Sequence, residues 1–473
     1  MAARGVLSRC ARRSQPQRGS PMSHERGLIA RQAGTVLVGQ VAVVAFGVID
    51  TLVAGRHSEA ALAALSVGSA VYITVFVMLM GLQQALLPML SELHGADRPH
   101  EVGRQFRQSL YLWGLNSVVG MLALLWPDPL LAWTEVPDAM QPAVREYLQV
   151  LAWSLPPALL FRLFSTLNQS LGRPKAVTWI QVLALGLKVP LSFLLALGVG
   201  DWDGWGLVGC ADATLIVNSA MILMGGYLLR HRSFYDRYRL WHRLEAPDWR
   251  VLGQLARLGI PNAMSVTVEV TSFTLMALFV ARLGTVASAS HQVMTSLAAL
   301  TYMVPLSFAI ATSARVSYWI GAQRAREAVQ ATRDGFVLVV SCALAVALVL
   351  LLFHNPITQA YTRQPPVALM AAGMISWLAL YVLADAIQVM CFFLLRCYRV
   401  TLTPLVIYCV LLWGGGLSGG YWLAYRGWDH TPPMQHPVAF WIASSLALVV
   451  ASILMAFLLR WTQRAREARV DSA

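Results

Sequence analysis

The sequence predicts an all-α polytopic membrane protein of twelve transmembrane helices in two six-helix lobes. Three observations carry this. First, 57% of the 473 residues are hydrophobic and only 12% are charged. A soluble domain carries roughly twice that charge, so a soluble enzyme and a disordered chain are both excluded. Second, apolar runs fall at roughly 34–54, 61–90, 109–126, 147–165, 176–199, 205–229, 259–281, 286–312, 335–353, 367–395, 401–425 and 438–460. Each is long enough for a bilayer crossing, which takes about 20 residues. Third, the chain repeats itself. Gly95-Ala96-Asp97-Arg98 with Glu101 and Arg107 returns 226 residues on as Gly321-Ala322-Gln323-Arg324 with Glu327 and Arg333. The same offset takes Ala63 to Ala289, Val67 to Val293 and Arg173 to Arg399. Six spans per half is an even number, so both halves insert the same way, as a parallel repeat about the membrane normal.

Taken in order, residues 1–27 place five arginines, from Arg4 to Arg18, among Ser, Pro and Gly, with no acid before Glu25. They predict a disordered cytoplasmic tail, with Met22 as an alternative start. Residues 28–229 form the first lobe, 230–257 a basic cytoplasmic linker, 258–461 the second lobe and 462–473 a cytoplasmic tail. The formal charge of +13 is carried almost wholly by Arg, the two lysines being Lys175 and Lys188. With the N-terminus inside, the inner segments hold 28 Lys and Arg, the outer connections four (Arg56, Arg282, Arg363 and Arg426). That is the positive-inside rule, and it sets both termini in the cytoplasm. Spread over seven short segments, the excess forms no stripe for nucleic acid. The six cysteines show no CxxC or CxxH pairing and read as small buried hydrophobes, not a disulfide framework or a zinc site.

Charge inside a span is costly, about 2.5–3.5 kcal/mol at a helix centre, so each instance needs a reason. Four acids qualify: Asp50, Asp212, Glu269 and Asp385. Asp50 lies about one turn from the outer end of the first span, Glu269 about mid-span. Tyr381 and Asp385 share a helix face at i,i+4, as do Asp385 and Gln388 at i,i+3. A phenol, a carboxylate and an amide supply the oxygens that a small hard cation prefers; a proton is the alternative occupant. Lys188 stands too deep to snorkel, and its partner is an acid of the same lobe, Asp50 or Asp212. His291-Gln292 at a helix start reads as packing.

At Asp50 the sequence resembles the multidrug and toxic compound extrusion family, specifically its bacterial NorM-like branch. The likeness runs through Gln40, Gly47-Val48-Ile49-Asp50-Thr51-Leu52-Val53-Ala54-Gly55 and Leu62-Ala63-Ala64. It continues through Gly259-Ile260-Pro261, Glu269, Phe273, His291-Gln292, Pro305-Leu306-Ser307, Arg315-Val316, Gly321-Ala322, Asp385-Ala386-Ile387-Gln388 and Leu395-Arg396. It covers roughly residues 30–425. Thr35 stands at the family's early proline, which Pro261 keeps in the repeat. Lys188 and Ser192 fall at two asparagine positions facing Asp50, so an ammonium there competes with any metal ion.

The resemblance implies a secondary active antiporter of the bacterial inner membrane, not an enzyme. It would export organic cations and other xenobiotics against sodium or protons by alternating access of two lobes, with no cofactor. Glu269 and Asp385 with Tyr381 and Tyr302 would hold the coupling cation, which is the only metal expected there and only if it is sodium. Asp50 would be the first-lobe acid, with Lys188 and Asp212 as candidate partners in an ion pair. Gln40, Gln388 and Ser192 are the polar candidates for the substrate cavity. The expected partners are the lipid bilayer and cationic amphiphilic small molecules, with no nucleic acid, and the expected state is a monomer. Two rivals stand beside this: a lipid-linked saccharide flippase of the same superfamily, and a polytopic membrane enzyme. The flippase would need several interior basic groups, and the enzyme a clustered ligand set or a nucleophile–base pair.

Overall fold

The protein is described by a computed structural model covering residues 21–128, 140–198, 202–362, 364–427 and 432–471. Cys10 and Arg363 lie outside the described residues. Within them, twelve helical segments are long and apolar enough to cross a membrane. The first lobe comprises α1 (Pro21–His57), α2 (Glu59–Gln83) with α3 (Leu86–Gly95), α4 (Pro99–Leu125), α5 (Gln141–Ser170), α6 (Pro174–Leu197) and α7 (Gly206–His231). The second comprises α8 (Trp249–Ala281), α9 (Thr285–Gly321), α10 (Ala325–Leu352), the short α11 (His354–Tyr361) and α12 (Pro365–Cys397). It ends with α13 (Leu402–Arg426) and α14 (Val438–Asp471). The outer faces carry bare apolar side chains: Leu223, Leu369 and Phe457 are 73%, 77% and 72% exposed, as a lipid-facing skin requires.

The second span is split between α2 and α3. Pro88 has no N–H for the carbonyl of Gln84 and crowds it, so the chain turns there, and the Leu87 amide bonds the Gln84 carbonyl instead. By contrast α1 runs unbroken past Thr35. Its hydroxyl donates to the Arg31 carbonyl at 2.8 Å, and its carbonyl accepts from Thr178 of α6 at 2.7 Å.

The lobes meet where α2 packs on α8, and where α1 and α3 pack on α9. The repeat is visible in this contact. A Cβ on Gly95 would lie 1.9 Å from the Tyr318 carbonyl oxygen, and one on Gly321 would lie 1.8 Å from that of Glu92. Only glycine lets the backbones approach so closely, and each motif glycine docks on the other lobe's helix end. Asp97 (φ 52°) and Gln323 (φ 59°), 226 residues apart, take the same left-handed conformation after these glycines. By the end of the fourth span in each lobe the register has moved by one. The left-handed residues there are Gly172 and Arg399, 227 apart, so Arg173 corresponds in space to Val400. Both amides bond the carbonyl five residues back.

Four expected boundaries change. Residues 21–27, read from their charge as tail, belong to α1. Helix α7 continues to His231 and α8 begins at Trp249, which shortens the linker at both ends. The linker is also clamped to α4. Tyr111 donates to the Glu245 carbonyl at 2.8 Å, Arg107 pairs with Glu245 at 2.6 Å, and Tyr238 is fully buried. At the other end α14 runs on to Asp471, and Gln463 bonds Thr332 of α10 at 3.2 Å.

Candidate functional site

In the first lobe, α6 carries Lys188 against α1. Its Nζ lies 2.8 Å from Asp50 Oδ1 and donates to Thr214 Oγ1 at 2.6 Å and to the Cys210 carbonyl at 3.1 Å. An ammonium has three hydrogens, and all three are used. Ser192 donates to the same Asp50 oxygen at 3.3 Å, and both Lys188 and Ser192 are fully buried. Of the two candidate partners the structure selects Asp50. Asp212 is half-buried on α7 and makes no ion pair among the described residues.

The second-lobe acids stand differently. Asp385 and Tyr381 are buried on α12, one turn apart, and Glu269 of α8 lies close enough for the two carboxylate charges to act on each other. Tyr302 of α9 and Tyr408 of α13 complete this shell, each within electrostatic range of both acids. Among the described residues no cationic side chain lies within ion-pair distance of Glu269 or Asp385. Tyr381 is wedged edge-on between Phe273 and Trp441, with ring centroids 6.1 and 5.8 Å away. Beside it a void of about 30 Å³ is bounded also by Ser272, Met276 and Ser444, room for an occupant of water size. His291 packs against Trp441 at 5.9 Å. The five described cysteines are free thiols, three of them buried.

The three cavity candidates separate. Gln388 is fully buried and donates to the Tyr408 hydroxyl, a bond between α12 and α13. Ser192 belongs to the Lys188 cluster, and Gln40 is half-buried on α1.

Sequence reasoning missed the lock between the lobes. Arg396, counted above among the inner basic residues, is 1% exposed. Its Nη1 donates to Gln84 of the first lobe at 3.2 Å and to Asn262 at 3.1 Å; Asn262 in turn donates to the Gly81 carbonyl. Glu25 accepts two bonds from Arg315, at 2.8 and 3.0 Å, and one from the Trp319 indole at 3.0 Å. Arg26 reaches Asp334 of α10 at 2.6 Å. The available signal was Glu25 itself, the one acid in a stretch otherwise basic, standing four residues before the buried Ile29.

The MatE family model matches the chain twice, over residues 36–194 and 261–422. A probable multidrug resistance protein NorM of Aromatoleum aromaticum is 35% identical over 440 residues, 93% of this chain and 94% of that one. The multidrug resistance protein MdtK of Yersinia pestis is 32% identical over 432 residues, 91% and 94% of the two chains. Among solved structures, the eukaryotic MATE transporter AtDTX14 superposes with a TM-score of 0.85 at 18% identity, covering 96% of this chain and all of the other. The chain therefore belongs to the MatE family and is a multi-pass bacterial inner-membrane transporter rather than an enzyme.

Proposed function

We propose that this multidrug efflux transporter exchanges organic cations for a coupling ion held by Glu269 and Asp385, with Tyr381 and Tyr302 beside them. One observation carries the assignment: among the described residues no cationic side chain pairs with Glu269 or Asp385, whereas Asp50 is already neutralised by Lys188. Two carboxylates without a counter-charge favour a small cation or protons, and filling them biases the lobes by its different affinity for the two arrangements. An organic cation competes for the same field, and the rings of Tyr381 and Tyr302 offer it π faces. Both termini lie in the cytoplasm, as the distribution of Lys and Arg supports, so filling the site from outside drives release outward. The single chain supplies both lobes and works as a monomer, with sodium or a proton as the coupling ion.

The test is dye efflux from proteoliposomes under an imposed sodium or proton gradient. Whichever gradient drives the wild type names the ion. Asp385→Asn, reconstituted at equal density, is expected to fall to the rate of empty vesicles under both gradients. Undiminished gradient-driven efflux by this variant would remove the proposed site.

A further inference from the structure

A groove of about 980 Å³ opens between α1, α6 and α7, away from the carboxylate site. Its upper rim carries four bases from three parts of the chain: Arg31 on α1, Arg173 and Lys175 at the start of α6, and Arg232 just after α7. All four are exposed, no acid lines the groove, and none of the four forms an ion pair among the described residues. Arg173 is held in place over the Phe234 ring, 3.6 Å from its centroid. Four like charges gathered in one cleft repel each other unless an anion sits among them. Below the bases, toward the bilayer centre, the wall turns apolar and faces outward, with Trp179 66%, Leu183 58% and Leu223 73% exposed.

We propose that this groove binds an anionic glycerophospholipid, its phosphate among Arg31, Arg173, Lys175 and Arg232 and its acyl chains along Trp179, Leu183 and Leu223. Basic pockets between transmembrane helices are suited to anionic head groups. Trp179 stands one turn beyond Lys175 on α6, where an indole suits the boundary between head groups and acyl chains. A free phosphate would satisfy the rim and leave the apolar wall empty, so the two-part lining selects a lipid. The bound molecule ties α1 to α6 at the end where the lobes lock.

The experiment is native mass spectrometry of the purified full-length protein, titrated with phosphatidylglycerol or with phosphatidylcholine of the same acyl chains. The wild type is expected to retain phosphatidylglycerol in preference. Arg31→Gln with Lys175→Gln should erase that preference, each lost base weakening retention about fivefold. Arg324→Gln with Arg326→Gln, outside the groove, should leave it intact. Equal retention of the two lipids by the wild type overturns the proposal, as does an unchanged preference in the groove variant. Displacement of phosphatidylglycerol by millimolar inorganic phosphate also overturns it, reassigning the rim to a soluble anion.

Discussion

Lys188 makes the acid of the first lobe unlike those of the second. With its three hydrogens spent on Asp50, Thr214 and the Cys210 carbonyl, the ammonium occupies the space in which a first-lobe ion would have to sit. Lys188→Asn leaves Asp50 buried without its cation, and breaking such a pair costs about 3–5 kcal/mol. A marked fall in melting temperature in detergent is therefore expected, with much of it recovered when Asp50→Asn is added. Additive effects of the two changes would show that the pair carries no coupling energy. At this scale the chemistry was legible and the partners only partly so. An intramembrane lysine demands an acid, yet Asp50 and Asp212 satisfy that demand equally well in one dimension. What decides is the rotation of α7, which turns Thr214 and the Cys210 carbonyl toward Lys188 and leaves Asp212 at its side. Gln388 illustrates the converse. Its spacing from Asp385 puts it on the right stripe, and only the approach of Tyr408 from α13 reveals which hydroxyl its amide bonds.

The helices themselves were legible because a bilayer crossing leaves a long apolar run, whereas their ends were not. Helix α1 begins among charges, and charge was the reason to leave those residues as tail. Their polarity has another cause: Glu25 and Arg26 face polar groups of α9 and α10 across the lobe boundary. Glu25 is nearly buried and paired through both oxygens, and charged hydrogen bonds of this kind contribute about 1.5–3 kcal/mol. Glu25→Gln should therefore raise the population in which this end is parted by tenfold or more. Spin labels at His100 and Arg326, both exposed in the first turns of α4 and α10, would register a longer-distance population. An unchanged distance distribution would show that the strap does not hold the lobes. The linker teaches the same lesson, since its acids Glu245 and Asp248, unremarkable in the sequence, are what fasten it to Arg107 and Arg104 of α4.

For the whole molecule, the low charged fraction and the repeat point to two lobes of six spans, and the MatE family model matches the chain in two halves. The exact register drifted, because one more residue between Gln323 and Arg399 than between Asp97 and Gly172 leaves hydropathy unchanged while moving Arg399 against Gly172. The proposed orientation rests on 28 inner against four outer basic residues. Tags at the two ends should both resist a membrane-impermeant reagent in intact cells, and labelling of either one would contradict the arrangement. The reciprocal docking of Gly95 on Tyr318 and Gly321 on Glu92 bears on descent as well as closure. Such exchange of partners about an axis is the signature of an isologous interface between identical subunits. The lobe boundary has the form of a homodimer contact carried within one polypeptide, and its two halves differ in chemistry, one holding carboxylates with no ion pair among the described residues and the other a lysine paired with Asp50.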